Sequence, residues 1–240
     1  GAENGQHEMK GAQPMSRRCI VVDLDRCSGC HTCTVACKFE NELGLGNYRC
    51  DVIDVGPVGT HPNVQMYWLP IMCQQCENAP CVEVCPTGSS YRASNGVVTL
   101  DESTCIGCKS CLTVCPYSDS DGRTRPSVRW LRSDTNTVTK CTLCNHLTQN
   151  SDGVENEDDT YDVDHCVPPC VHNCCNGARF FGDLDDEKSP AAKAVAQAQS
   201  QGRAVHYLEA DGAQPVACYI LSQDVAWQGL DNSCVLYAKG

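Results

Sequence analysis

The chain is 240 residues long, carries a formal charge of −12 at pH 7, and holds 22 cysteines against only 6% aromatic residues. A balance that acidic speaks against nucleic acid as a partner, and no apolar run approaches the ~18 residues that would span a bilayer. A cysteine share of about 9% leaves two classes, a disulfide scaffold or a metal framework.

Residues 1–16 are polar and irregular and read as a flexible N-terminus or an expression remnant. Arg17-Arg18 looks like the start of a twin-arginine export signal, but CIVVDLDRC follows, with charges in place of an apolar segment. Export, where it occurs, would rest on a partner's signal. Residues 18–24 read as a short strand, followed by a first cysteine group, Cys27, Cys30, Cys33 and Cys37. Glycines 44, 46, 56 and 59 with Pro57 predict turns around short strands at 48–55 and 64–69. The second group is Cys73, Cys76, Cys81 and Cys85, closed by Pro86, with Asn78 and Ala79 beside Pro80 widening the step to its third cysteine. The third is CIGCKSCLTVCP, which supplies Cys105, Cys108, Cys111, Cys115 and Pro116.

That last spacing, C-x2-C-x2-C-x3-C-P, decides between the two classes. Three thiolates at steps of three wrap three corners of one iron–sulfur cubane, and the fourth points away to a different cluster. Gly107 eases the tight turn because it tolerates positive φ. Zinc needs only four ligands and has no use for the trailing proline, and disulfide scaffolds scatter their cysteines. The repeat also reaches upstream: Val21-Val22-Asp23-Leu24-Asp25 matches Val97-Val98-Thr99-Leu100-Asp101, and Gly29 matches Gly107. Two copies of one ferredoxin-like unit are expected. Lys38 stands where a proline is usual; the reading is a solvated side chain, with a cation that raises the cluster's potential as the alternative.

Residues 117–139 carry Arg123, Arg125, Arg129 and Arg132, read either as a solvated hairpin or as a dock for a carboxylate-rich partner. A fourth group opens with Cys141 and Cys144, is interrupted by an acidic insert at 145–169 expected to be a solvated loop, and closes with Cys170 and Cys174. Its PCVHNC echoes PCVEVC at 80–85. Cysteine groups end there. Ser189 and Pro190 predict the start of a helix over 191–201 ended by Gly202, with short strands at 204–208 and 217–221. Sixteen metal-bound thiolates would cross-link a thin core, which couples folding to cluster insertion. No nucleophile–base pair, phosphate loop or open metal site is visible, so the function class is an electron wire. The alternatives are a self-contained iron–sulfur enzyme and a structural metal protein.

Four such groups followed by GARFFGDLDD resemble the electron-transfer subunit of the dimethyl sulfoxide reductase superfamily of molybdenum and tungsten enzymes, over residues 19–187. The resemblance implies an α+β fold of two nested ferredoxin-like (4Fe–4S) domains with short strands, small helices and long loops. Residues 17–45 and 137–187 would form the outer domain, 46–136 the inner one, and 188–240 a tail wrapping the body or a partner. It implies four 4Fe–4S clusters: Cys27, Cys30, Cys33 and Cys174 hold one; Cys73, Cys76, Cys81 and Cys115 a second; Cys85, Cys105, Cys108 and Cys111 a third; Cys37, Cys141, Cys144 and Cys170 the fourth. No residue would be catalytic. The Mo/W-bisPGD cofactor would sit in a large catalytic partner subunit, with a membrane quinol-oxidising subunit or a soluble donor beyond it. Co-export with that partner would place the complex in the periplasm or on the outer membrane face; the alternative is the cytoplasm.

Departures from the pattern are Cys175, where the family has proline, and Cys166, four residues before the preferred ligand Cys170. Cys19, Cys50, Cys218 and Cys234 have no motif and read as buried thiols; His31 and His172 read as donors or solvated side chains. GTHPNVQMYWLPIMCQQCENAPC, KCTLCNHL and PPCVHNC look most like small subunits of pyrogallol–phloroglucinol transhydroxylase and catechol dehydroxylases. The implied reaction is reductive dehydroxylation of a catechol-type aromatic, with a polysulfide, thiosulfate, arsenate or DMSO-type reductase as the alternative.

Overall fold

A computed structural model describes residues 16–118, 127–148 and 167–230. Strand β1 (Arg18–Asp23) leads through the first cysteine loop into helix α1 (Thr32–Glu40). An antiparallel ribbon follows, β2 (Cys50–Val58) and β3 (Gln65–Met72), with an irregularity between Val55 and Val58. Then come α2 (Pro80–Glu83), β4 (Ser90–Arg92), β5 (Val98–Leu100), a 3-10 turn at Glu102–Thr104 and α3 (Ser110–Thr113). Beyond these lie β6 (Arg129–Leu131), β7 (Val138–Lys140), α4 (Asn145–Thr148), α5 (Pro169–His172) and β8 (Arg179–Asp183). The last described elements are α6 (Pro190–Ser200), β9 (Ala204–Tyr207) and β10 (Cys218–Leu221).

The main sheet has the order β8-β1-β10-β9, with β1 antiparallel to β8 and parallel to β10. Its inner strands β1 and β10 read as near-continuous apolar runs because both of their faces are covered. Successive side chains of β1 point to opposite faces. Cys19 and Val21, with Cys218 and Ile220, pack under Ala191, Ala194 and Ala198 of α6. Ile20 and Val22, with Tyr219 and Leu221, share a core with Val52, Leu69 and Ile71 of the ribbon. A third core joins Cys81, Val98, Leu112, Leu131 and Val138. The segment read as a tail thus contributes two of the sheet's four strands. Ser189 caps α6, its Oγ accepting from the Ala192 amide at 3.2 Å with Pro190 next in line, as expected. Among the described residues no helix is long and apolar enough to cross a membrane.

The internal repeat holds at the level of backbone angles. Gly29 and Gly107 have φ of 66° and 67°, and the residues two further on, His31 and Lys109, are left-handed caps of α1 and α3 with φ of 59° and 63°. Likewise α2 and α5 are both four residues long, start on proline, and bring Cys81 and Cys170 into the interior.

Candidate metal centres

The cysteines of the four groups fall on loops and on the first turns of short helices, except Cys37 in the second turn of α1, and the fold brings them together in sets. Cys27 lies beside Cys33 and Cys174; burial pushes its thiol up and these two neighbours add to it. Cys30, on the same loop as Cys27, is exposed, 3.3 Å from the Thr32 hydroxyl. Cys37, Cys141, Cys144 and Cys170 are all buried. Burial drives the Cys37 thiol well up, and Cys170, Cys141 and Cys144 reinforce the shift. Asn41 offers its amide to two sulfurs of this set, Cys37 at 3.6 Å and Cys144 at 4.0 Å. Cys76 is pushed up to about 12 by burial and by Cys73, Cys115 and Cys81. Cys85, Cys105, Cys108 and Cys111 line one pocket together with Ile106 and Arg129.

Backbone amides face these sulfurs: Ala178 to Cys174 at 3.3 Å, Leu143 to Cys141 at 3.4 Å, Ser90 to Cys85 at 3.3 Å and Val138 to Cys105 at 3.4 Å. N–H donors of this kind stabilise thiolates and tune a cluster they hold. An all-sulfur donor set suits soft metals. Among the described residues no three His, Cys, Asp or Glu side chains close around a single ion, whereas a cubane needs its thiolates spread well beyond a ~2.3 Å Zn–S shell. The residues fit iron–sulfur clusters. Every set would be closed by four thiolates, which leaves electron exchange and no position for a substrate.

Other cysteines have separate fates. Cys19, Cys50 and Cys218 are buried thiols as expected; Cys166 and Cys234 lie outside the described residues. Cys50 is more than filler. It donates to Cys33, which is held down to about 5 chiefly by that bond, while Cys50 itself is driven well up. No spacing rule marks such a residue. Cys175 is exposed, its sulfur 3.7 Å from that of Cys30. His31 shapes the turn into α1, and His172 is exposed on α5.

Two expectations about cations need correction. Lys38 is not free in solvent: its ammonium bonds the carbonyls of Gly44 at 2.9 Å and Asn47 at 2.7 Å and lies 4.6 Å from the Tyr48 ring centre. The arginine-bearing hairpin does not present its described arginines to a partner. Arg132 pairs with Glu102 and Asp134, and Arg129 is 1% exposed; Arg123 and Arg125 fall outside the described residues, as does the acidic run at 152–164. Among the described residues three cations are instead interior: Arg129, Arg179 and Lys140, the last bonding the carbonyls of Val98 and of Cys141 at 2.9 Å. A buried ion without counter-charge costs several kcal/mol, so these positions imply negative charge nearby.

Thiols gathered in this way, with amides on their sulfurs and cations at their backs, define an iron–sulfur electron carrier. The 4Fe–4S dicluster domain family matches residues 64–184, and the chain belongs to it, as a non-catalytic iron–sulfur subunit of the dimethyl sulfoxide reductase superfamily. It is 33% identical to a tetrathionate reductase subunit of Salmonella typhimurium, covering 79% of this chain and 67% of that one. It is 38% identical to the thiosulfate reductase electron transfer subunit PhsB of Salmonella typhi, over 70% and 77%. It is 33% identical to the arsenate respiratory reductase iron-sulfur subunit ArrB of Shewanella sp. strain ANA-3, over 73% and 86%. None of these is named for an aromatic substrate. The catechol expectation finds no support in them, and the thiosulfate and arsenate alternative fits.

Proposed function

We propose that this chain relays single electrons through four 4Fe–4S clusters, in two nested ferredoxin-like units, to or from a molybdopterin catalytic subunit that reduces an oxidised sulfur compound or a related oxyanion such as arsenate. What supports the four-cluster reading is a reciprocal exchange of thiols between groups: Cys174 lies with Cys27 and Cys33, while Cys37 lies with Cys141, Cys144 and Cys170. The same exchange places Cys115 beside Cys76, while Cys85 joins Cys105, Cys108 and Cys111 around one pocket. When bound, each cluster supplies a one-electron couple. The chain's part is to hold it, keep water from it and bias its potential.

Exposure supports a route through the body with an opening at each of two rims. Cys30 and Cys108 are exposed, and each belongs to a different set, whereas the set holding Cys37 is buried throughout. Exchange with a catalytic partner at one of these rims and with a donor at the other fits this arrangement. Native anaerobic purification with metal analysis tests the reading. About sixteen irons per chain, copurifying with molybdenum or tungsten and a second polypeptide, is the expected result. About eight irons would overturn four clusters, and a fully active lone chain would overturn the complex. Turnover of thiosulfate, tetrathionate or arsenate by the complex is expected; turnover of catechols alone would overturn the substrate class.

A further inference from the structure

Arg129 opens β6 and Arg179 opens β8, and both guanidinium groups are inside the protein, at 1% and 4% exposure. Arg179 reaches Met72 Sδ at 3.0 Å and Cys170 Sγ at 3.7 Å, and its Nε and Nη1 have no hydrogen-bond partner. Around it stand Cys33 from one set and Cys170 and Cys141 from another, with Cys50 between. Arg129 bonds Ser90 Oγ at 3.0 Å, lines the pocket of Cys85, Cys105, Cys108 and Cys111, and lies beside Cys73, Cys81 and Cys115 of the neighbouring set. Each unit therefore contains one arginine, lodged between thiols of both its sets. Neither has a carboxylate partner among the described residues. A guanidinium cannot shed its proton, so among the described residues the groups placed to balance it are the thiolates.

We propose that Arg129 and Arg179 are fixed counter-charges, one per cluster pair, each raising the reduction potential of both clusters it separates. The proposal rests on the electron-carrier reading above. Adding an electron makes a thiolate-bound cluster more negative, so a cation held at fixed distance favours the reduced state over the oxidised one. Being buried, it is screened by salt much less than a surface charge. One cation shared by two clusters also offsets the repulsion between their negative charges, so that reducing one hinders the other less.

Redox titration of the native complex followed by electron paramagnetic resonance tests this with Arg179→Gln and Arg129→Gln, made singly. Iron analysis of the parent protein comes first and reports on the electron-carrier reading alone. With iron retained, two of the four midpoints fall to more negative values in Arg179→Gln and the other two fall in Arg129→Gln. Unmoved midpoints, or the same clusters moving in both variants, would overturn the proposal. Where a glutamine variant loses iron, the charge-retaining Arg179→Lys or Arg129→Lys decides. Recovery of full iron and near-parent midpoints supports a counter-charge; equal loss of iron shows that packing of the fork, and not its charge, is what the site requires.

Discussion

Cys30 and Cys175 bring their sulfurs to 3.7 Å at an exposed end of the molecule. Cys30 belongs to the first cysteine group and is proposed as a cluster ligand; Cys175 directly follows Cys174, the last cysteine of the fourth group. While a cluster holds Cys30, that thiolate is occupied. Once oxygen strips the cluster, both thiols are exposed and close enough to join with a small movement of their side chains. Air exposure followed by peptide mass spectrometry should give a Cys30–Cys175 cross-link, and Cys175→Ser should abolish it and slow the irreversible loss of reconstitutable iron. An unchanged rate in that variant would show that the neighbour has no part in the damage.

Cys50 offers a different test. Its S–H donates to Cys33, and it has no motif spacing of its own. Cys50→Ala should keep the full iron complement and make one midpoint more negative, because hydrogen bonds to ligand sulfurs raise cluster potentials. Loss of about four irons would instead make Cys50 a ligand.

Cys108 is exposed and lines one pocket with Cys85, Cys105 and Cys111, and is proposed as a cluster ligand there. Replacing it with tryptophan removes one thiolate and leaves three. The oxidised variant should show a 3Fe–4S resonance absent from the parent, with about one iron lost per chain.

Cys170 is buried against Cys37, Cys141 and Cys144, with Arg179 at 3.7 Å from its sulfur. Cys170→Ala should therefore cost one whole cluster or convert it to a three-iron form, whereas Cys166→Ala should leave iron content and spectra at the parent level. The reverse pattern would exchange their roles.

Gly107 tests the geometry of the cysteine loop. At φ 67° a side chain there would meet the carbonyl oxygen of Asn136 at 2.2 Å, so a backbone segment has to move. Left-handed strain adds about 1–2 kcal/mol for a residue with a Cβ. Gly107→Ala should lower iron occupancy in the set that includes Cys105, Cys108 and Cys111 and reduce the melting temperature; a fully loaded, equally stable variant would show that the loop has slack.

Much of this was legible because it is local. Cysteine spacing, the strand at the start of the first repeat, the glycine turns at 29 and 107, and the Ser189 cap each depend on a few adjacent residues. What escaped depends on partners far away in sequence. Arg129 sits in a polar, arginine-bearing stretch and looks solvated until distant thiols surround it. Lys38 looks free until the chain curls back to Gly44 and Asn47. Cys50 has no spacing to announce it, and nothing in CYIL indicates that β10 inserts between β1 and β9.

That insertion has a consequence for how the molecule is born. During synthesis a chain emerges N-terminal end first, so β1 and the first cysteine loop are available long before β10 exists to pair with Val22 and Asp23. Until then β1 presents a bare, apolar edge, the kind that recruits other chains. The same delay applies to Cys174, which arrives after three ligand groups have been made. Closure is therefore a late event in the life of each copy: an unfinished polypeptide has neither its sheet closed nor its cysteine sets complete.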